Sequence, residues 1–320
     1  MLRILLCIIG SFLVAASASA QHYPTKPVRL IVAFAPGGAS DVLARLLAQR
    51  LGDSLGQSVI VDNRPSAGGI IGTDLVAKAA PDGYTLLLGS AAAFAIAPHL
   101  AIKLPYDTRR DFVPIAPFTR LTFVLNVNPR VDVRSIKDLV ALGKSRPGTL
   151  NIGSAGNGTT THMVGELFKR TAGVDLVHVP YKGAGPAMID LISGQIQVLF
   201  DAAITTLPQL KAGRIRALAV GSPERSALFP GLPTIIEAGL PGFTAGNWFG
   251  IFAPAKVPAA LVRRLNSEIS KVIDTPDTRE EMLRHHVEPL IMDQEKFREL
   301  VATEYERYGK LVKVAGIKIN

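Results

Sequence analysis

Two segments of this chain repeat one local pattern: a short apolar run, a glycine-rich turn, then the start of an amphipathic helix. In the first, residues 30–34 lead into Ala35-Pro36-Gly37-Gly38-Ala39-Ser40-Asp41 and then into apolar positions Leu43, Leu46, Leu47 and Leu51. In the second, Leu150-Asn151-Ile152 leads into residues 153–161 and then into Met163, Val164, Leu167 and Phe168. Glycine lets the backbone turn through positive φ and come close to a ligand, while the unsatisfied N–H groups of a helix start carry partial positive charge. Either turn alone is explained equally well by tight packing. Two of them facing each other would clamp an anion with neither a metal nor a catalytic base.

The rest of the chain supplies a frame for that pair. From Pro27 onward, apolar runs at 28–34, 59–61 and 85–88 alternate with helical patterns, which predicts a parallel sheet covered on both faces by helices. Right-handed crossovers then gather the strand-to-helix loops at the carboxyl edge, where a third glycine-rich loop, Pro65-Ser66-Ala67-Gly68-Gly69, opens beside the first. The run at 123–127 takes the chain into a second α/β set, with apolar runs at 150–152, 177–179, 198–200 and 217–220 and helices near Ser135, after Thr161 and at 187–192. Residues 248–253 read as a return strand, followed by helices beginning at Pro258, Thr278 and Asp293. Two crossings imply a hinge and a cleft between domain 1 (21–123 plus 247–320) and domain 2 (124–246).

With 320 residues and 48% hydrophobic content, the chain is long enough for two cores. Residues 1–20 read as an export signal: Arg3, an apolar run from Ile4 to Val14 too short to span a bilayer, and an Ala-x-Ala pattern before Gln21. The mature chain is therefore expected in the periplasm. The single cysteine, Cys7, lies within that signal, so the mature protein would have neither disulfides nor thiol chemistry. Removing Arg3 leaves 34 basic residues against 26 acidic ones, a balance of +8. This is either an ordinary basic surface or a field that steers small anions. The basic residues are scattered and aromatics make up 6%, which argues against nucleic acid.

Neither glycine-rich loop ends in Gly-Lys-Ser/Thr, and the second lacks dinucleotide spacing, so no nucleotide cofactor is expected. Ser154 and His162 share a loop, but Ile152 replaces the first glycine of a nucleophile elbow. The histidines at 22, 99, 162, 178, 285 and 286 show no metal-binding spacing, and no catalytic residue or metal ligand is assigned. His162 reads as a packing or capping residue, and Asp41 as a carboxylate favoured by its helix dipole. Asp201 ends an apolar strand at the cleft edge, where it would either cap the next segment or hydrogen-bond a ligand. Lys182 is either a charge partner or solvated. Thr159 reads as an exposed cleft hydroxyl whose removal leaves folding intact.

A series of short motifs runs through nearly the whole mature chain in one order. It includes Pro36-Gly37-Gly38 with Asp41, Asp62-Asn63-Arg64-Pro65 with Ala67-Gly68-Gly69, Pro81-Asp82-Gly83-Tyr84-Thr85-Leu86, Gly153-Ser154 with Gly156 and Gly158, Val179-Pro180-Tyr181-Lys182-Gly183, Phe200-Asp201 and Trp248-Phe249-Gly250. In these the chain resembles the Bug-type extracytoplasmic solute receptors of tripartite tricarboxylate transporters. The resemblance implies an α/β, type II-like periplasmic-binding-protein fold of two domains, closing on a small organic carboxylate and delivering it to membrane permease subunits as a monomer, without cofactor or catalysis. Carried over, the ligand-binding positions are Phe34, Gly37, Gly38, Ala39, Ser40 and Ser90 in domain 1, and Ser154, Gly158, Thr159, Thr160 and Asp201 in domain 2, with Lys182 beside them. Ser90 is followed here by Ala91-Ala92-Ala93-Phe94, where relatives often carry polar residues, so a less polar or aromatic acid is expected in the distal pocket. The competing readings are a hydrolase in the same cleft and a ligand-presenting sensory receptor.

Overall fold

One strand joins the two halves of the molecule. The computed structural model describes residues 23–100, 103–284 and 286–315; residues 1–20, read above as an export signal and containing Cys7, and His22 and His285 lie outside the described residues. Within them β4 (Phe112–Val127) runs for 16 residues. Its first part, through Thr122, pairs antiparallel with β9 (Gly246–Pro254), and its last part, from Phe123, pairs antiparallel with β7 (Val198–Ala202) and β8 (Arg216–Val220).

On the first side, β1 (Val28–Val32) lies between β2 (Val59–Asn63) and β3 (Thr85–Ser90), parallel to both, and β3 pairs antiparallel with β9. On the second side, β5 (Asn151–Ser154) lies parallel between β6 (Val177–Pro180) and β7. The strand order is β2-β1-β3-β9-β4-β7-β5-β6, with β8 and the two-residue β10 (Glu288–Pro289) also pairing β4. The expected parallel units are therefore present, and antiparallel pairing enters where the chain crosses and returns.

β4 begins well before the run at 123–127 from which the crossing is expected. Pro114 and Pro117 hide this: proline lacks the ladder donor and normally marks a strand's end. Here the register shifts between Pro114 and Ala116 and again between Pro117 and Thr119, so both prolines sit at irregularities where the ladder is already interrupted.

The helices are α1 (Ala39–Leu55), α2 (Ile70–Ala77), α3 (Ile136–Ser145), α4 (Thr160–Ala172), α5 (Ala184–Ser193), α6 (Ala203–Lys211), α7 (Ala259–Asp274), α8 (Pro276–Arg284) and α9 (Gln294–Ala315). α1 buries Leu43, Leu46, Leu47 and Leu51, and α4 buries Met163, Val164 and Phe168. These apolar stripes fix which way each helix start points. α8 begins at Pro276 rather than Thr278, because proline fits a first helical turn that needs no N–H.

α9 is clamped onto the first side by Phe297, which is fully buried edge-on to Trp248 (5.9 Å between ring centres) and against Phe252 (5.4 Å). Phe252 in turn stacks on Phe94 at 3.8 Å. Phe94 belongs to this core and not to the cleft, which removes one basis for expecting an aromatic ligand. Replacing a buried phenylalanine by alanine removes its transfer energy and leaves a void, so Phe297→Ala should lower unfolding stability by about 3–5 kcal/mol. Urea denaturation followed by Trp248 fluorescence measures this; a loss below about 1 kcal/mol would mean α9 is not held by this residue.

Candidate functional site

The loop after β1 and the loop after β5 both end on helix starts that face one cavity of about 50 Å3, room for a few water molecules or part of a small ligand. Ala39 and Ser40 of α1 line it, as do Thr160 and Thr161 of α4. These are the first two residues of each helix, whose N–H groups have no partner one turn back. Phe34, Ser90, Thr159 and Asp201 complete the expected residues that reach it.

The other expected positions lie nearby but turn their polar groups elsewhere. The Gly37 N–H donates to Asp41 Oδ2 at 3.1 Å, and the Gly158 N–H donates to His162 Nδ1 at 3.2 Å, so neither amide is free for a ligand. Gly38 caps α1 through its backbone and packs against α5. Ser154, fully buried, accepts from the Gly156 N–H at 3.1 Å and lies 2.6 Å from His178 Nε2. The serine thus pairs with His178 and not with His162, and its hydroxyl does not line the cavity. The Lys182 side chain is exposed, and its carbonyl instead accepts from the Ala35 N–H at 2.9 Å.

Asp41 and His162 behave as capping groups. Asp41 forms an ion pair with Arg45 at 3.0 Å; burial alone would raise its pKa, but the bonds from Arg45 and the Gly37 N–H outweigh it and the net shift is downward. His162 stacks on His178 at 4.1 Å. Burial lowers the pKa of both, that of His178 to about 3, so both rings are neutral at ordinary pH and His162 keeps an acceptor for Gly158.

Thr159 is a correction to the sequence reading. It is 2% exposed; its Oγ1 accepts from the His162 N–H at 3.3 Å, donates to the Gly156 carbonyl at 2.7 Å and lies 3.0 Å from Thr161 Oγ1. It is the N-cap of α4, so removing its hydroxyl affects folding. Thr160 is the opposite case: the residue lines the cavity, and its buried Oγ1 has no hydrogen-bond partner.

The floor of the cavity was not anticipated as a site. Leu121 and Phe123 come from β4, and Asn247 and Phe249 from β9, at the two points where the chain passes between the halves. The crossings themselves were the available signal, since residues on strands that bridge two units must border the space between them. Of the apolar run after Ser90, only Ala92 reaches the cavity.

The lips meet backbone to backbone. A Cβ on Gly185, in the first turn of α5, would lie 2.7 Å from the Pro36 carbonyl oxygen, and one on Gly68 would lie 2.8 Å from the Asn157 carbonyl oxygen. Such distances leave no space for a side chain at either glycine.

The family model for the tripartite tricarboxylate transporter family receptor matches residues 43–317, and the chain belongs to that family. It is 38% identical over 321 residues to protein BugT of Bordetella pertussis, covering 99% of this chain and 98% of BugT. Among solved structures, Rpa4515 of R. palustris with adipate superposes with a TM-score of 0.90 at 35% identity, covering 92% of this chain and 99% of that one. MatC from Rhodopseudomonas palustris with bound malate gives 0.87 at 32% identity, covering 91% and 100%. The fold is that of the periplasmic binding proteins, and the family's members are solute-binding receptors.

Thr159→Ala should cost about 1 kcal/mol of stability, within the 0.5–2 range for a lost N-cap, whereas Thr160→Ala, which breaks no bond, should cost less. Denaturant midpoints of the two variants decide the order; equal losses would contradict the cap assignment.

Proposed function

We propose that this protein is an exported periplasmic receptor that captures a small organic carboxylate between the lobes 21–123 plus 247–320 and 124–246, and hands it as a monomer to the permease subunits of a tripartite transporter. The observation that carries this reading is the unpartnered Thr160 hydroxyl. Thr160 lines a cavity bordered by the first residues of two helices, and among the described residues that line it none is a lysine, arginine or histidine. Donors without a cation suit an anion small enough to be held by dipoles alone. The likeness to receptors solved with adipate and malate supports a carboxylate, and residues 1–20 support export. Nothing lining the cavity pairs a nucleophile with a histidine base, and Ser154 faces away from it, so the hydrolase reading gains no support.

A panel of mono- and dicarboxylates should raise thermal stability with chelator present, by about 2.7 kcal/mol for a ligand at a hundredfold excess over its Kd. Thr160→Val removes one hydrogen bond to a charged acceptor, roughly 1.5–3 kcal/mol, and should weaken that ligand about ten- to a hundredfold. Unchanged affinity by calorimetry would place the ligand elsewhere.

Closure has its own variant. Position 185 has ordinary helical backbone, where alanine is at least as favourable as glycine, yet a Cβ there collides with the opposite lip. Gly185→Ala should therefore leave the fold intact while opposing closure by about 1–3 kcal/mol. Small-angle scattering at saturating ligand should show a larger radius of gyration than the wild type; identical compaction would refute a rigid seam.

A further inference from the structure

Asp201 ends β7 on the wall of the cavity and is 2% exposed. Its Oδ1 accepts from the Ala202 N–H at 2.8 Å, and its Oδ2 lies 2.6 Å from Thr205 Oγ1. The same Thr205 oxygen lies 3.0 Å from the Ala202 carbonyl. A hydroxyl has one hydrogen, so Thr205 cannot donate fully to both acceptors. Both contacts are served when Asp201 carries a proton on Oδ2, donates it to Thr205, and Thr205 donates onward to Ala202.

The surroundings favour the same state. Among the described residues no cation forms an ion pair with Asp201. On β4, which pairs with it, the facing residues 123–127 are uncharged. On α6 the only ionisable residue is Lys211, at the far end of the helix, and α5 offers Asp190, whose carboxylate accepts from the Tyr181 hydroxyl. β5 has no ionisable residue; α4 carries His162, stacked on His178 of β6, the paired Glu166 and Lys169, and Arg170 in its last turn, and Lys182 is exposed on the lip. Burial raises the pKa of Asp201 to about 7, opposed only by the Thr205 and Ala202 bonds. A carboxylate ligand would bring a second negative charge into this cation-free space. Two such anions are stable together when they share one proton.

We propose that the receptor takes up one proton from water with each carboxylate it binds, and that Asp201 holds that proton in the closed complex. This rests on the carboxylate reading above. As the lobes close, an O–H bond forms on the carboxylate of Asp201 at the expense of one in the buffer acid or water, which is left as its conjugate base in solution; no bond between heavier atoms changes and the ligand stays ionised. Specificity follows, since an acid lacking its own positive charge is captured together with a proton, while an amino acid's ammonium would neutralise Asp201 without one.

Isothermal calorimetry with adipate, malate and L-glutamate, in buffers of different ionisation enthalpy at pH 8, counts the protons directly. His162 and His178 are neutral at this pH and the probe carboxylates are ionised, so neither supplies the uptake. For adipate or malate we expect uptake approaching one proton, with affinity falling about tenfold per pH unit from pH 7 to 9. Asp201→Asn should abolish the uptake and flatten the profile. Binding of a dicarboxylate without uptake, uptake that persists in Asp201→Asn, or tight binding of glutamate alone would overturn the proposal while leaving a ligand receptor in place. Failure of every carboxylate to bind would overturn the carboxylate reading and this proposal with it. The wild-type proton count stands even if the variant fails to fold.

Discussion

An anion held without a cation has to be met by dipoles, and dipoles act only over the first turn of a helix and only if they are held still. The internal bonding of both loops serves that end. Asp41 occupies the Gly37 amide, His162 occupies the Gly158 amide, and Ser154 occupies the Gly156 amide. Ala39, Ser40, Thr160 and Thr161, the first residues of the two helices, line the cavity. The glycines shape the turns, but the polar residues between and after them determine which N–H groups remain for a ligand.

That division explains what could be read in advance. The two loops, the two α/β halves and the places where the chain crosses are local patterns, and they are legible in residues 30–41, 150–168, 123–127 and 248–253. Which atoms of those loops point inward depends on partners fixed by folding. Ser154 is bound to His178 from the neighbouring strand, and the Lys182 carbonyl to Ala35 across the cleft. Thr159 looks like an exposed hydroxyl until α4 is seen to start on it. The early part of β4 was hidden for a different reason: Pro114 and Pro117 carry a local preference that tertiary pairing overrides at two register shifts.

The same two strands join the lobes and floor the site. Phe123 and Phe249 are each 4% exposed, touch the cavity and belong to the main core. On the two-lobe reading proposed above, any rotation of one lobe against the other passes through residues a ligand would rest on, and a well-packed core has few intermediate arrangements. On that reading, contact at the floor and motion at the lips are coupled within β4 and β9.

The seam at the lips has a separate consequence. Gly185 against Pro36 and Gly68 against Asn157 are main-chain contacts with no side chains to compress, so on the receptor reading proposed above the jaws would stop at one fixed separation, like a caliper with a hard stop. A molecule too long for the space keeps the lips apart, however well its carboxylate is held at one end, and a molecule too short closes them over water. On that reading, the length of the ligand would be reported on the outside of the protein as the presence or absence of a flush rim.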